Sequence, residues 1–64
     1  MCLSTVYDRA KEDGRILMKN VRLIQTDGDT VTLTDILEST QTFTGSIQIA
    51  DLVSGYVIID RTDA

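Results

Sequence analysis

The sequence contains no histidine, no proline and no tryptophan, and only one cysteine. Each absence removes a class of chemistry. Without histidine, a nucleophile lacks its usual base, and a zinc site inside one monomer lacks imidazole ligands. A single cysteine closes no intramolecular disulfide. The aromatics are Tyr7, Phe43 and Tyr56 alone. That is too few for a groove that grips proline-rich peptides or a platform that stacks bases. No apolar run reaches membrane-spanning length and no basic segment precedes one, so neither a transmembrane helix nor a secretory signal is expected.

What is present is short and acidic. The 64 residues make one domain, residues 1–64, and a chain of this size buries only about 60% of its unfolded surface. Small domains compensate with disulfides, metals or partner subunits. The first is excluded here, so a homodimer is expected. An apolar fraction of 42% argues for a folded core rather than disorder. Ten acidic residues against six basic ones give a net charge of −4, which disfavours nucleic-acid backbones and suits a cation. A lone thiol in an untargeted chain points to the cytoplasm.

Punctuation comes from Gly and Asp. Asp13-Gly14 in KEDGR and Asp27-Gly28 in TDGDT are turn signals, because Asp-Gly tolerates the positive φ of tight hairpins. Gly45, inside a β-like run, marks a bulge or bend, and Gly55 another turn. Between them lie five β-rich segments: LSTVY (3–7), MKNVRLIQT (18–26), TVTLTDIL (30–37), TFTGSIQIA (42–50) and YVIID (56–60). Their alternation puts Val21 with Leu23, Val31 with Leu33 and Leu37, and Phe43 with Ile47 and Ile49, each set on one face. IADLV (49–53) is expected to form a 3₁₀ turn, and DILES (35–39) has weak helical character. The architecture expected is all-β, a small five-stranded meander curling into a barrel. In the last strand Tyr56 and Ile58 oppose Val57 and Ile59. One of those faces must find cover outside the core, and a dimer interface provides it.

Most candidate chemistry fails on inspection. The acids of TDGDT and of DRTDA (60–64) do not follow the spacing of a calcium loop; Asp27 and Asp29 read as turn residues, Asp60 and Asp63 as solvated charge. The basic residues are dispersed among acids. Cys2 is different, because it stands beside the α-amine. With Met1 retained, the Met1 amine, the Cys2 amide nitrogen and the Cys2 sulfur form two fused five-membered chelate rings. With Met1 removed, the Cys2 amine and sulfur form one. Thiolate with nitrogen in a planar set suits Ni(II) or Cu(II). One chain supplies too few donors, and a symmetric dimer brings two copies of Cys2 together.

The opening MCLSTVY, the length, the early Asp-Gly turn and the all-β pattern resemble the CooT family. These are small cytoplasmic nickel-binding proteins that serve maturation of nickel-dependent carbon monoxide dehydrogenase. The resemblance covers essentially the whole chain. It implies an SH3-like β-barrel, a homodimer, and Ni(II) held through Cys2 of both copies. The nitrogen donor, the amine of Met1 or of Cys2 itself, comes from the chelate chemistry above and not from the resemblance. The resemblance also implies a non-enzymatic metallochaperone, with a carbon monoxide dehydrogenase or its maturation factors as partner. Two other functions compete with it. One is a small SH3-like interaction or RNA-binding module without metal; the other is a redox dimer bridged through Cys2.

Overall fold

In a computed structural model, which describes residues 3–62, five strands follow one another along the chain. They are β1 (Ser4–Asp8), β2 (Ile16–Asp27), β3 (Thr30–Asp35), β4 (Thr40–Asp51) and β5 (Tyr56–Arg61). Each pairs antiparallel with the next. A parallel pairing of β1 with β5 closes the sheet into a ring. The five expected strands are therefore present, and the closing pair adds one parallel ladder that a meander alone does not contain.

Alternation explains β3 and its partner. Val31 and Leu33 point inward and are fully buried. Their neighbours are threonines, which sit directly opposite threonines of β4: Thr30 with Thr44, Thr32 with Thr42, Thr34 with Thr40. The hydroxyls of Thr32 and Thr42 lie 3.1 Å apart. β-branched residues in such cross-strand pairs fit a pleated surface. The core that results contains Val6, Met18, Val21, Val31, Leu33, Phe43, Val57 and Ile59.

Strict alternation fails where strands bend. A register shift separates Val21 from Leu23, so Val21 is buried whereas Leu23 is exposed, and the two do not share a face. Along β2 the inward positions run Met18, Val21, Ile24, a spacing of three. Asn20 adopts a left-handed φ of 57° between the first two. A second shift, between Ile47 and Ile49, splits the expected Phe43–Ile47–Ile49 face. Ile47 pairs with inward Ile59, and Ile49 pairs with outward Ile58. An extra residue bends and twists its strand, and a five-stranded ring this small needs that curvature.

The turns also depart from expectation. β3 stops at Asp35, whose Oδ1 accepts hydrogen bonds from Leu37 N (2.9 Å) and Ser39 N (3.0 Å). Leu37 therefore leaves the strand and is 83% exposed, apart from Val31 and Leu33. DILES is a braced turn rather than helix. The IADLV segment continues as strand to Asp51 and then turns; the 3₁₀ turn is instead at Asp13–Arg15. Gly14, within that turn, does not use a positive φ, while Gly28 does (60°). Gly28-Asp29 is the two-residue connection of the β2–β3 hairpin, since Asp27 pairs with Thr30. Gly45 is not at a bulge. It is buried at a point where a Cβ would run into the carbonyl oxygen of Asp60.

In β5, Val57 and Ile59 fill the core, which settles the choice that the alternation of this strand left open. The opposite face is less open than its composition suggests. Ile58 is only 6% exposed, in a row between Tyr7 of β1 and Ile49 of β4. Tyr56 meets Tyr7 edge-on and carries the Lys11 ammonium 4.6 Å from its ring centre. Ile49 flanks Ile58 on this face and is itself exposed; the other large exposed aliphatic side chains are Leu23 and Ile47 on strands and Ile36, Leu37, Leu52 and Val53 on turns.

Candidate metal centre

Cys2 and Met1, the residues expected to hold metal, lie outside the described residues. The described residues show the platform to which they are attached. The Thr5 amide donates to the Gly55 carbonyl at 3.0 Å, and the Gly55 amide donates to the Asp51 carbonyl at 2.9 Å. Thr5 is thereby pinned between two strands, three residues after Cys2. Among the described residues there is no group of three or more His, Cys, Asp or Glu arranged to hold a metal ion. Any thiolate site on this chain must draw on its only cysteine.

Asp51 secures the turn that receives the N-terminal strand. Its Oδ1 accepts from the Ser54 amide at 2.9 Å and from the Val53 amide at 3.2 Å. The Ser54 amide is the main reason its carboxyl sits below the ordinary value of 3.8, with the Ser54 hydroxyl, the Val53 amide and Lys11 adding to the effect. Donors aimed at a carboxylate favour its charged form. The sequence signal was available: Asp followed by Ser three or four positions on, as in Asp51–Ser54 and Asp35–Ser39, is the pattern of a side chain that braces its own turn.

Beside this turn is a cleft of about 220 Å³ between β2 and β4. Val21, Ile24, Ala50 and Val57 line its inner part, and Leu23, Leu52 and Ser4 its rim. Ala50 pairs with Val57 and so faces inward by register, yet it is exposed, because beyond Ser4 no described strand fills the space between β2 and β4. Sequence alternation predicted inward and outward faces but not this opening, which lies where β1 begins at Ser4 while β2 continues beyond Val21, the partner of Ser4, to Asp27.

The charged residues are largely committed to one another. Arg9 approaches Asp60 at 3.7 Å and Asp8 at 3.9 Å, and Arg15 approaches Glu12 at 3.8 Å. Arg22 binds Glu38, and the Arg61 guanidinium lies 4.7 Å from the centre of the Phe43 ring. Asp27 and Asp29 sit at the hairpin as turn residues, with the Asp29 carbonyl accepting from the Gly45 amide at 2.6 Å. Asp60 is in an ion pair rather than merely solvated; Asp63 falls outside the described residues. A second cleft, of about 440 Å³, carries Asp8, Glu12, Arg15 and Arg61. Its mixed charge offers hard oxygens and guanidinium groups, not the soft donors that Ni(II) or Cu(II) favour. No helix among the described residues is long and apolar enough to cross a membrane.

Compared with known proteins, residues 1–60 match the family described as CO dehydrogenase accessory protein CooT. No curated protein matches the chain.

Proposed function

The chain belongs to the CooT family of CO dehydrogenase accessory proteins, and from that premise we propose that it is a nickel metallochaperone. In this reading the closed sheet is an SH3-like barrel and two copies associate. One Ni(II) is held through the Cys2 thiolates of both copies, with an adjacent amine, of Met1 or of Cys2 itself, as a nitrogen donor. The ion is cargo, destined for a nickel enzyme such as carbon monoxide dehydrogenase, and the chain itself performs no catalysis.

One observation carries the proposal. The only thiol in the sequence stands at position 2, next to an amine and two residues before an anchored strand. The amine and sulfur of Cys2 close a five-membered ring on a metal; with Met1 retained, its amine, the Cys2 amide nitrogen and the sulfur close two. Neither arrangement needs any help from the fold, and thiolate selects late transition metals over Ca(II) or Mg(II). Binding replaces the thiol proton, so uptake releases protons and weakens as acid protonates the sulfur. The engagement of Arg9, Arg15 and Arg22 with carboxylates speaks against the RNA-binding alternative. Cations already paired within the chain gain less from neutralising phosphates.

The test is anaerobic titration of the reduced protein with Ni(II). The expected result is one ion per two chains, with thiolate-to-nickel charge-transfer absorption. Cys2→Ser abolishes tight binding and leaves the circular dichroism of the β-sheet unchanged. Equal nickel affinity in the serine variant would remove Cys2 from the site and end this reading.

A further inference from the structure

Two Asp-Gly pairs occur in the sequence, Asp13-Gly14 and Asp27-Gly28, and the fold holds them differently. Asp27 ends a twelve-residue strand and pairs across the hairpin with Thr30. Gly28 is set there at a φ of 60°. Asp13 and Gly14 belong to no strand. With Arg15 they form a 3₁₀ turn of three residues, none of them buried. The Arg15 amide donates to the Glu12 carbonyl at 2.9 Å and closes the turn, and Glu12 gives it no side-chain cap. The Asp13 carboxyl has no hydrogen-bond or ion-pair partner among the described residues. Where a side chain of Gly14 would stand, there is nothing within 4 Å.

We propose that Asp13-Gly14 is a site of spontaneous isoaspartate formation. The Gly14 amide nitrogen attacks the side-chain carboxyl carbon of Asp13 in its protonated form. A C–N bond forms, a carboxyl C–O bond breaks, and the hydroxyl and the amide proton leave together as one water. The product is a five-membered succinimide, which a second water opens. Attack at the side-chain carbonyl restores aspartate. Attack at the backbone carbonyl leaves the main chain running through the side chain, one methylene longer. No oxidant, reductant or cofactor takes part, and the total mass is unchanged.

The missing side chain on the attacking residue sets both pairs apart from the other described aspartates. Asp8, Asp29, Asp35, Asp51 and Asp60 are followed by Arg, Thr, Ile, Leu and Arg, which crowd the attacking nitrogen. Freedom of the backbone then separates the two pairs. Ring closure requires rotation about the Cα–C bond of the aspartate, one of the two soft backbone torsions. At Asp13 that rotation opens a single short turn, and such turns have poor hydrogen-bond geometry. At Asp27 it undoes the pairing with Thr30 and displaces Gly28 from the turn that fixes the register of β2 against β3. Local opening is drawn from the least supported segments of a fold. The change also has a structural consequence. Glu12, Gly14 and Arg15 line the cleft of about 440 Å³, and the Arg15–Glu12 ion pair spans the turn at 3.8 Å. A methylene inserted between those two residues alters their spacing and the mouth of the cleft. None of this depends on the reading of Cys2.

The experiment ages the reduced protein at neutral pH and physiological temperature, beside a sample kept unfolded in urea. Isoaspartate is located by peptide mapping with mass spectrometry and counted by methylation with protein isoaspartyl methyltransferase. Each site's rate in the folded chain is divided by its own rate in urea, which removes the influence of neighbouring residues. One further hydrogen bond to open slows a step about fivefold. The normalised rate at Asp13 should therefore exceed that at Asp27 by about fivefold or more. Asp13→Glu, whose longer side chain closes a less favourable ring, and Gly14→Ala should each remove most of the methylation while keeping the circular dichroism of the parent. Equal normalised rates at the two sites, or a faster change at Asp27, overturn the proposal. So does an Asp13 that isomerises in urea but not in the folded chain, or methylation that is undiminished in Asp13→Glu.

Discussion

Gly45→Ala is expected to be among the most damaging single-atom changes available to this chain. The φ of Gly45 is 154°, a region that costs an L-residue about 1–3 kcal/mol. The added methyl also has nowhere to go. It would collide with the Asp60 carbonyl oxygen and press on the Asp60 carbonyl carbon and the Arg61 Cα, both at 3.0 Å. These are backbone atoms of the adjacent strand, so they cannot rotate aside as a side chain would. Separating β4 from β5 there sacrifices one or two ladder hydrogen bonds, at about 0.5–1.5 kcal/mol each. Together the strain and the lost pairing come to about 2–5 kcal/mol. A 64-residue chain has a total stability of about 3–10 kcal/mol, so the variant should be near the edge of folding. The assay is urea unfolding at fixed protein concentration, followed by circular dichroism, since any self-association makes stability depend on concentration. With a slope near 1 kcal/mol per molar urea, the midpoint should fall by about 2 M or more. Gly14→Ala is the internal control. A Cβ there meets nothing within 4 Å and the backbone is outside the positive-φ region. Reduced freedom of the unfolded chain should make that variant slightly more stable, by about 0.4–1 kcal/mol. A Gly45→Ala protein within about 0.5 kcal/mol of the parent would refute the reasoning, as would an equal loss in Gly14→Ala.

Other expectations follow from single sites. Leu33→Ala leaves a void at a fully buried position and should cost about 2–5 kcal/mol in the same unfolding assay. Asp51 contributes through a carboxyl held below its ordinary value of 3.8. Its contribution is therefore present at neutral pH and lost as pH falls through the lowered value. Asp51→Asn should unfold earlier than the parent at pH 7, and the gap between their urea midpoints should narrow below about pH 4. A gap that is constant from pH 7 to pH 3 would show that the charge of Asp51 is not what braces the turn.

Much of the fold was legible because alternation is a local property. The five strands, the Asp27-Gly28 hairpin, the inward pair Val31–Leu33 and the grouping of Val57 with Ile59 on one face all follow from a period of two and from turn chemistry, although which face of β5 turns inward does not. The departures share one cause. Extra residues in β2 and β4 change which side chains face inward, and nothing in VRL or SIQIA says where a strand must bend to close a ring. Gly45 was legible as a special position, but its reason was not: the close approach to Asp60 is a contact between residues fifteen apart. At the candidate site the division differs. Cys2 and its neighbouring amine could be read directly, because a chelate ring between adjacent groups needs no tertiary structure. The cleft beside Ser4 could not, because it is bounded by residues from β2, β4 and β5.

By itself, then, the sequence determined the strand content, the acidic balance and the single thiol at position 2, since each depends on composition or on near neighbours. The tertiary structure decided that Thr5 is anchored to Gly55, that Ile58 is covered while Ile47 and Ala50 are not, and that the core opens beside the N-terminal strand. Those outcomes depend on ring closure, which joins β1 to β5 across most of the chain and sets the side chains each strand leaves uncovered.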